Sequence, residues 1–297
     1  MAVLWALALL SLEGPRIVTL ILALAIGLFL MRVFCLQHDC GHYSLFSNRR
    51  TCDWLGRCLS LLTITPYHTW QVMHATHHAS TGNLEAPELG EVKTLTVAEY
   101  NALSGPRKFG YRLYRHPIFL VGVAPFVLFF LQYRLPFGLW RGGRGIWIST
   151  LGTNLALAVC LGLLVRFWGW EAVVWIFVPS VLFGATAGVV TFYLHHQFDG
   201  TSFERPPEWD RHEAALAGSS QIEVPAWVQW FTANITIHHV HHLMERIPFY
   251  RLPEVLRDHP ELRAQNWIPW RRALPFFWLS LWDEDRRQLV SFKEAAF

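Results

Sequence analysis

Three histidine clusters interrupt a chain that is otherwise oily: His38 and His42 in H-D-C-G-H, His74, His77 and His78 in H-A-T-H-H, and His238, His241 and His242 in H-H-V-H-H. The spacing is H-x3-H once and H-x2-H-H twice. Residues three and four apart share one helix face, so each cluster can aim its imidazoles at a single point. Imidazole is a good ligand for iron, zinc, copper and nickel. A tetrahedral zinc site closes at four ligands, and a catalytic one usually takes three from the protein. Eight clustered imidazoles therefore outnumber one ion and fit two transition-metal ions side by side. Whatever fold the chain adopts must bring all three clusters to one place.

A lone histidine is more often a surface or core residue with a satisfied hydrogen bond, and His68, His116, His212 and His259 belong in that class. A single pair at i, i+4 is also common. Two copies of H-x2-H-H beside an H-x3-H are not explained that way.

Only 16% of the 297 residues are charged, against about 25% in average soluble domains. That points to a membrane. A bilayer crossing needs about 20 apolar residues, and residues 17–36, 146–165 and 172–194 qualify. Residues 1–12 are apolar but too short to cross unaided. No Lys or Arg precedes them, so they read as the stub of a hairpin helix or an interfacial segment rather than a cleavable signal. The net charge of +3 is small and dispersed, which argues against nucleic acid. The five cysteines form no C-x-x-C pair and read as small buried hydrophobes.

A fourth apolar run, residues 118–131, poses a topology problem. The first two clusters precede it and the third follows it, so an even number of crossings must separate Ser80 from His195. Three candidate runs lie in that interval, so one does not cross. Pro125 interrupts residues 118–131, and Pro117 and Pro136 flank them; this run is expected to be re-entrant or interfacial. Arg49, Arg50, Arg57, Lys93, Arg107, Lys108, Arg112, Arg115, Arg134, Arg141 and Arg144 then fall on the histidine side, which the positive-inside tendency makes cytosolic. The expected fold is an all-α membrane protein: a multi-span helical stalk with a cytosolic, histidine-rich helical cap (residues 37–116 and 195–297) holding a di-metal site, all in one domain.

The motifs as a set resemble the membrane fatty-acid desaturases, nearest the acyl-lipid desaturases of the delta-12 (omega-6) type. The resemblance rests on H-D-C-G-H-Y-S-L-F-S-N-R-R with D-W-L-G at Asp53 to Gly56, on P-Y-H-T-W-Q-V-M-H-A-T-H-H-A-S-T-G-N-L, and on W-F-T-A-N-I-T-I-H-H-V-H-H-L-M-E-R-I-P-F-Y. H-H-Q-F-D and E-A-A-L-A-G-S-S add to it, and it runs from Ile17 to about Val290. It departs at the N-terminus, where relatives carry a longer first span. The resemblance implies a non-haem di-iron enzyme that removes two hydrogens from a fatty-acyl lipid, with O2 as co-substrate and two electrons. Redox-inactive zinc does not supply such chemistry, which agrees with two iron ions.

Carried over residue by residue, the implied ligands are His38, His42, His74, His77, His78, His238, His241 and His242, with His196 of the H-Q-F pattern as a ninth. His195 stands where relatives often have glutamine, and His239 falls outside the H-x2-H-H pattern. Asn234 is either a holder of metal-bound water or a capping or packing residue. Asp39 and Asp199 are candidates to orient a ligating imidazole, or else surface carboxylates. No H-P-G-G haem motif, four-cysteine iron–sulfur pattern or dinucleotide fingerprint occurs. The electrons are thus expected from a separate ferredoxin or cytochrome-b5-like donor. A lipid or carotenoid hydroxylase or other oxygenase on the same scaffold is the alternative within the class. A membrane metal transporter is the alternative outside it, though its polar ligands would be expected within the spans.

Overall fold

The computed structural model describes residues 1–86 and 89–296. Helices dominate, and the chain divides into two compact units: Met1–Val72 with Ala124–Gly188, and Met73–Val123 with Val189–Phe297.

The first unit is helical. Helix α1 covers Ala2–Leu10, α2 covers Arg16–Gly41, and α3 covers Arg49–Thr63. Pro15 starts α2, where its missing N–H costs nothing. Asn48 caps α3, its side-chain oxygen accepting from the backbone N–H of Arg50 and Thr51. The helix ends at Ile64, which adopts a left-handed conformation. Helix α4, Tyr67–Ser80, follows and runs on into the second unit.

Among the described residues, two helices are long and apolar enough to cross a membrane: α2 and the continuous stretch Arg144–His196. The latter contains helices Arg144–Ala172 and Val178–His196, and Gly169 (φ 74°) interrupts its backbone. Where α2 meets this stretch, Gly27 and Gly184 let the backbones touch. A Cβ on Gly27 would stand 2.7 Å from the Ser180 carbonyl oxygen, and one on Gly184 would stand 2.9 Å from that of Gly27. Small residues are what close helix packing in lipid requires. Phe119–Arg134 is irregular, with π turns at Phe119–Val123 and Val127–Leu131 on either side of Ala124–Phe126, which contains Pro125.

The second unit departs from the all-α expectation through two small sheets. Strands β1 (Leu95–Thr96), β4 (Leu281–Asp283) and β5 (Gln288–Val290) form one in the order β1-β4-β5. Strands β2 (Gln221–Glu223) and β3 (Trp267–Pro269) pair in parallel, with Ile222 opposite Ile268. Their inward residues join Tyr193, Phe198, Phe276 and Phe277 in a buried apolar core. Each strand has two or three residues, so no period-two pattern marks it in the sequence.

Arg115 is 1% exposed and does not belong among the surface cations. Its guanidinium donates to the carbonyl oxygens of Lys93 and Leu279, to Gln197 Oε1 and to the Tyr193 hydroxyl. It thereby clamps the end of the helix that carries His196. Arg134 is likewise half-buried, donating to Asn154 Oδ1 and the Ile64 carbonyl oxygen. Of the cysteines, Cys35, Cys40 and Cys52 are buried, but Cys58 and Cys160 are exposed.

Candidate metal centre

In the first unit, His38 and His42 sit one turn apart at the C-terminal end of α2, their ring centroids 4.6 Å apart. Asp39 Oδ1 lies 3.4 Å from His38 Nδ1, and the Trp70 ring packs 5.7 Å from the His38 ring.

In the second unit the other seven predicted histidines form two neighbouring groups. In the first, His78 Nε2 stands 3.1 Å from both His74 Nε2 and His241 Nε2. The second holds His77, His196, His238 and His242, whose ligand atoms all lie within 4.8 Å of one another. Its Nε2 atoms run in sequence: His77 to His242 at 3.2 Å, His242 to His238 at 3.0 Å, and His238 to His196 at 3.0 Å. The groups adjoin, since the rings of His78 and His242 stack with centroids 4.1 Å apart. Helical spacing explains both. His74 and His78 share one face of α4 with His77 beside them, and His238, His241 and His242 repeat the pattern on the short helix His238–Leu243.

The second group fits a cation on its own chemistry. A carbonyl oxygen can only accept, so the 2.9 Å contact between His196 Nδ1 and the Gly218 carbonyl puts the proton on Nδ1. The 2.8 Å contact between His77 Nδ1 and Glu91 does the same. Both Nε2 atoms are then bare lone pairs directed at their neighbours. Burial holds the imidazoles of His238 and His242 well below the ordinary histidine range, so these rings are neutral. The converging Nε2 atoms of the four rings do not all find a donor–acceptor match among themselves. A metal ion at the convergence point removes the conflict, and a neutral imidazole is the form that binds metal.

The remaining candidates separate clearly. His239 Nε2 donates to the Leu262 carbonyl oxygen at 2.9 Å and lies outside both groups. His195 also lies outside them; it is buried, with its ring stacked on that of His238 at 4.1 Å. Asn234 has a left-handed backbone (φ 57°), and its side-chain amide donates to the Phe249 carbonyl oxygen. Asp199 takes the surface role, its side chain 60% exposed and 3.9 Å from Arg272. Among the described residues of the second unit, the carboxylates that do reach ligating-type histidines are Glu91, at His77, and Glu245, 3.6 Å from His78 Nδ1. Sequence reasoning missed both. Glu245 follows His242 by one helical step of three, a weak signal, whereas nothing local marks Glu91.

Comparison with known proteins agrees with this geometry. The family described as fatty acid desaturase matches residues 15–273. A fatty acid desaturase of Bacillus subtilis is 37% identical over 290 residues, covering 98% of this chain and 82% of its own. An sn-1 oleoyl-lipid 12-desaturase of Synechocystis is 26% identical, covering 85% of this chain and 70% of its own. An sn-1 acyl-lipid omega-3 desaturase (ferredoxin) from the same organism is 29% identical, covering 76% and 63%. With the family match spanning the histidine clusters and most of the sequence, the chain belongs to the fatty acid desaturase family and is an oxidoreductase of acyl chains.

Proposed function

We propose that the protein is an oxygen-dependent di-iron desaturase that introduces a double bond into a lipid-linked fatty-acyl chain, delta-12 (omega-6)-like in type. The observation that carries this reading is the convergence of four buried Nε2 atoms, two of them with tautomers fixed by Glu91 and Gly218. The ligand set is the nine histidines: His77, His196, His238 and His242 around one ion, His74, His78 and His241 around the other, and His38 and His42 completing the set. The bound irons supply the oxidising power that an unactivated alkyl C–H bond demands. Overall, dioxygen takes two hydrogens from the acyl chain with two electrons and two protons from outside, and leaves as two waters.

The chain's own residues set the conditions for that chemistry. Burial keeps His238 and His242 neutral and donating. Arg115 and Gln197 hold the end of the helix that presents His196. The Arg144–His196 stretch has 53 residues, about 80 Å of helix at 1.5 Å per residue, against a hydrocarbon core of about 30 Å. With its interruption at Gly169, that length supports two crossings, and α2 supports another. His38, His42 and His196 all lie at the C-terminal ends of these apolar helices. We assign that side to the cytosol, from the exposed basic residues around the clusters. The donor is a separate protein, and similarity to an omega-3 desaturase of the ferredoxin type favours a small iron–sulfur carrier.

The test is expression in a host without desaturases, followed by the fatty-acid profile and metal analysis of the purified protein. The expected result is a product lighter by two hydrogens, about two irons per chain, and activity lost on chelation and regained with ferrous iron. A product heavier by one oxygen would make the protein a hydroxylase. Activity tracking zinc would overturn the oxygenase reading altogether.

A further inference from the structure

Glu91 occupies a place that the histidine pattern does not explain. It lies 14 residues after His77, beyond the end of α4, yet its Oε1 atom returns to within 2.8 Å of His77 Nδ1. Two features hold it there. Thr81 donates its hydroxyl to the His77 carbonyl oxygen at 2.7 Å and approaches Glu91 Oε1 at 3.3 Å. Gly90, with φ at 78°, lies against α4, where an added Cβ would meet the Met73 carbonyl oxygen at 3.3 Å and the His77 Cβ at 3.7 Å. Glycine alone takes this backbone conformation without strain, so the chain turns in close enough to bring Glu91 under the ring. The His77 side chain is 1% exposed, whereas that of Glu91 is 26% exposed. Glu91 lines both a small cavity shared with His196 and Gly218 and a cleft of about 300 Å³ lined by Asn83, Lys93, Thr94 and Glu99.

We propose that Glu91 is a positioning residue for the metal centre: it locks His77 in the tautomer whose Nε2 lone pair faces His196, His238 and His242, and its charge makes that ring a stronger donor. This role rests on the metal-binding reading above. A carboxylate behind a ligating imidazole fixes ring orientation and raises ligand basicity, and its loss typically weakens metal affinity about 10–100-fold. In the same group His196 leans on a neutral carbonyl, and His238 Nδ1 is buried with no hydrogen-bond partner. Glu91 is therefore the anionic support of this group among the described residues. Its removal should weaken one ion of the pair and leave the other nearly unchanged.

Cobalt(II) is the probe, because its ligand-field bands report donor strength at each site. Metal-free protein in detergent micelles would be titrated with cobalt for wild type, Glu91→Gln, Glu91→Ala and Asp199→Asn. Wild type and Asp199→Asn should bind two ions alike. Glu91→Gln, whose amide oxygen still accepts from Nδ1 without charge, should bind two ions, one about 10-fold more weakly and with a shifted band. Glu91→Ala should lose about 100-fold at that one site, and formate entering the cleft should restore affinity and band together. Unchanged affinities and bands in both Glu91 variants would overturn the inference. So would equal weakening of both ions without rescue by formate, which would mark Glu91 as a structural residue only. A wild-type protein that binds no cobalt would refute the metal reading itself, which the wild-type titration distinguishes from failure at Glu91.

Discussion

His77 Nε2 lies 3.2 Å from His242 Nε2, although 165 positions separate the two residues in the sequence. The pair is one link in a run of buried Nε2 atoms that continues from His242 to His238 and from His238 to His196, as expected of ligands sharing one ion. Replacing either residue by alanine should abolish turnover, with a loss of at least about 100-fold, because a ligand should cost no less than the outer partner that orients it. Membrane association should persist, since the two long apolar helices do not depend on these rings. Near-normal fatty-acid products from both variants would sink the assignment.

Arg115 is expected to matter for stability rather than chemistry. Arg115→Met keeps much of the stem but takes the donor from buried Gln197 Oε1, while the carbonyl oxygens of Lys93 and Leu279 keep the Tyr111 and Tyr193 hydroxyls. Leaving one such acceptor unpaired costs about 1–3 kcal/mol, so a net loss of about 2 kcal/mol is expected. A clear fall in the thermal midpoint of the micellar protein checks this. An unchanged midpoint would show that the guanidinium is replaceable by water.

The crossing of α2 with the Arg144–His196 stretch gives a packing prediction. Gly27→Leu forces a side chain toward the Ser180 carbonyl oxygen and the Phe183 ring, whose nearest atom would stand 2.9 Å from the added Cβ. Overpacking of this kind costs about 1–3 kcal/mol. Gly152→Ala, by contrast, meets nothing within 4 Å and should be silent. Comparable yield and thermal midpoint for the two variants would argue against a tight crossing.

These cases show where sequence was informative and where it was not. The histidine clusters were legible because helical geometry turns i, i+3, i+4 spacing into one face, and the seven in the second unit indeed converge. Glu91 was not legible, because its contact with His77 is made by a loop and a left-handed glycine rather than by spacing. Asp199 reads as either a carboxylate orienting a ligating imidazole or a surface group, and its side chain is 60% exposed. Arg115 read as a surface charge because no local pattern distinguishes a buried guanidinium clamped by carbonyls from an exposed one. The strands escaped notice because two or three residues cannot express alternation. His196 came from the family resemblance alone, as a single histidine with no cluster spacing of its own.

His196 therefore offers the sharpest test of the ligand set. It and His195 are successive residues at the end of one helix, so their side chains leave the axis about 100° apart. Only His196 turns its Nε2 to His238, at 3.0 Å, while its Nδ1 is engaged by the Gly218 carbonyl. His195 Nε2 is buried without a hydrogen-bond partner, and its ring lies flat against His238. His196→Ala should behave like a cluster variant, losing turnover and lowering the bound iron. His195→Gln should retain activity, since it removes no nitrogen from either group and the replacement fills a similar space beside His238. Fatty-acid profiles and iron content of the two variants in parallel decide the matter. If both keep full activity and full iron, His196 is no ligand and the set falls to the eight histidines of the three clusters.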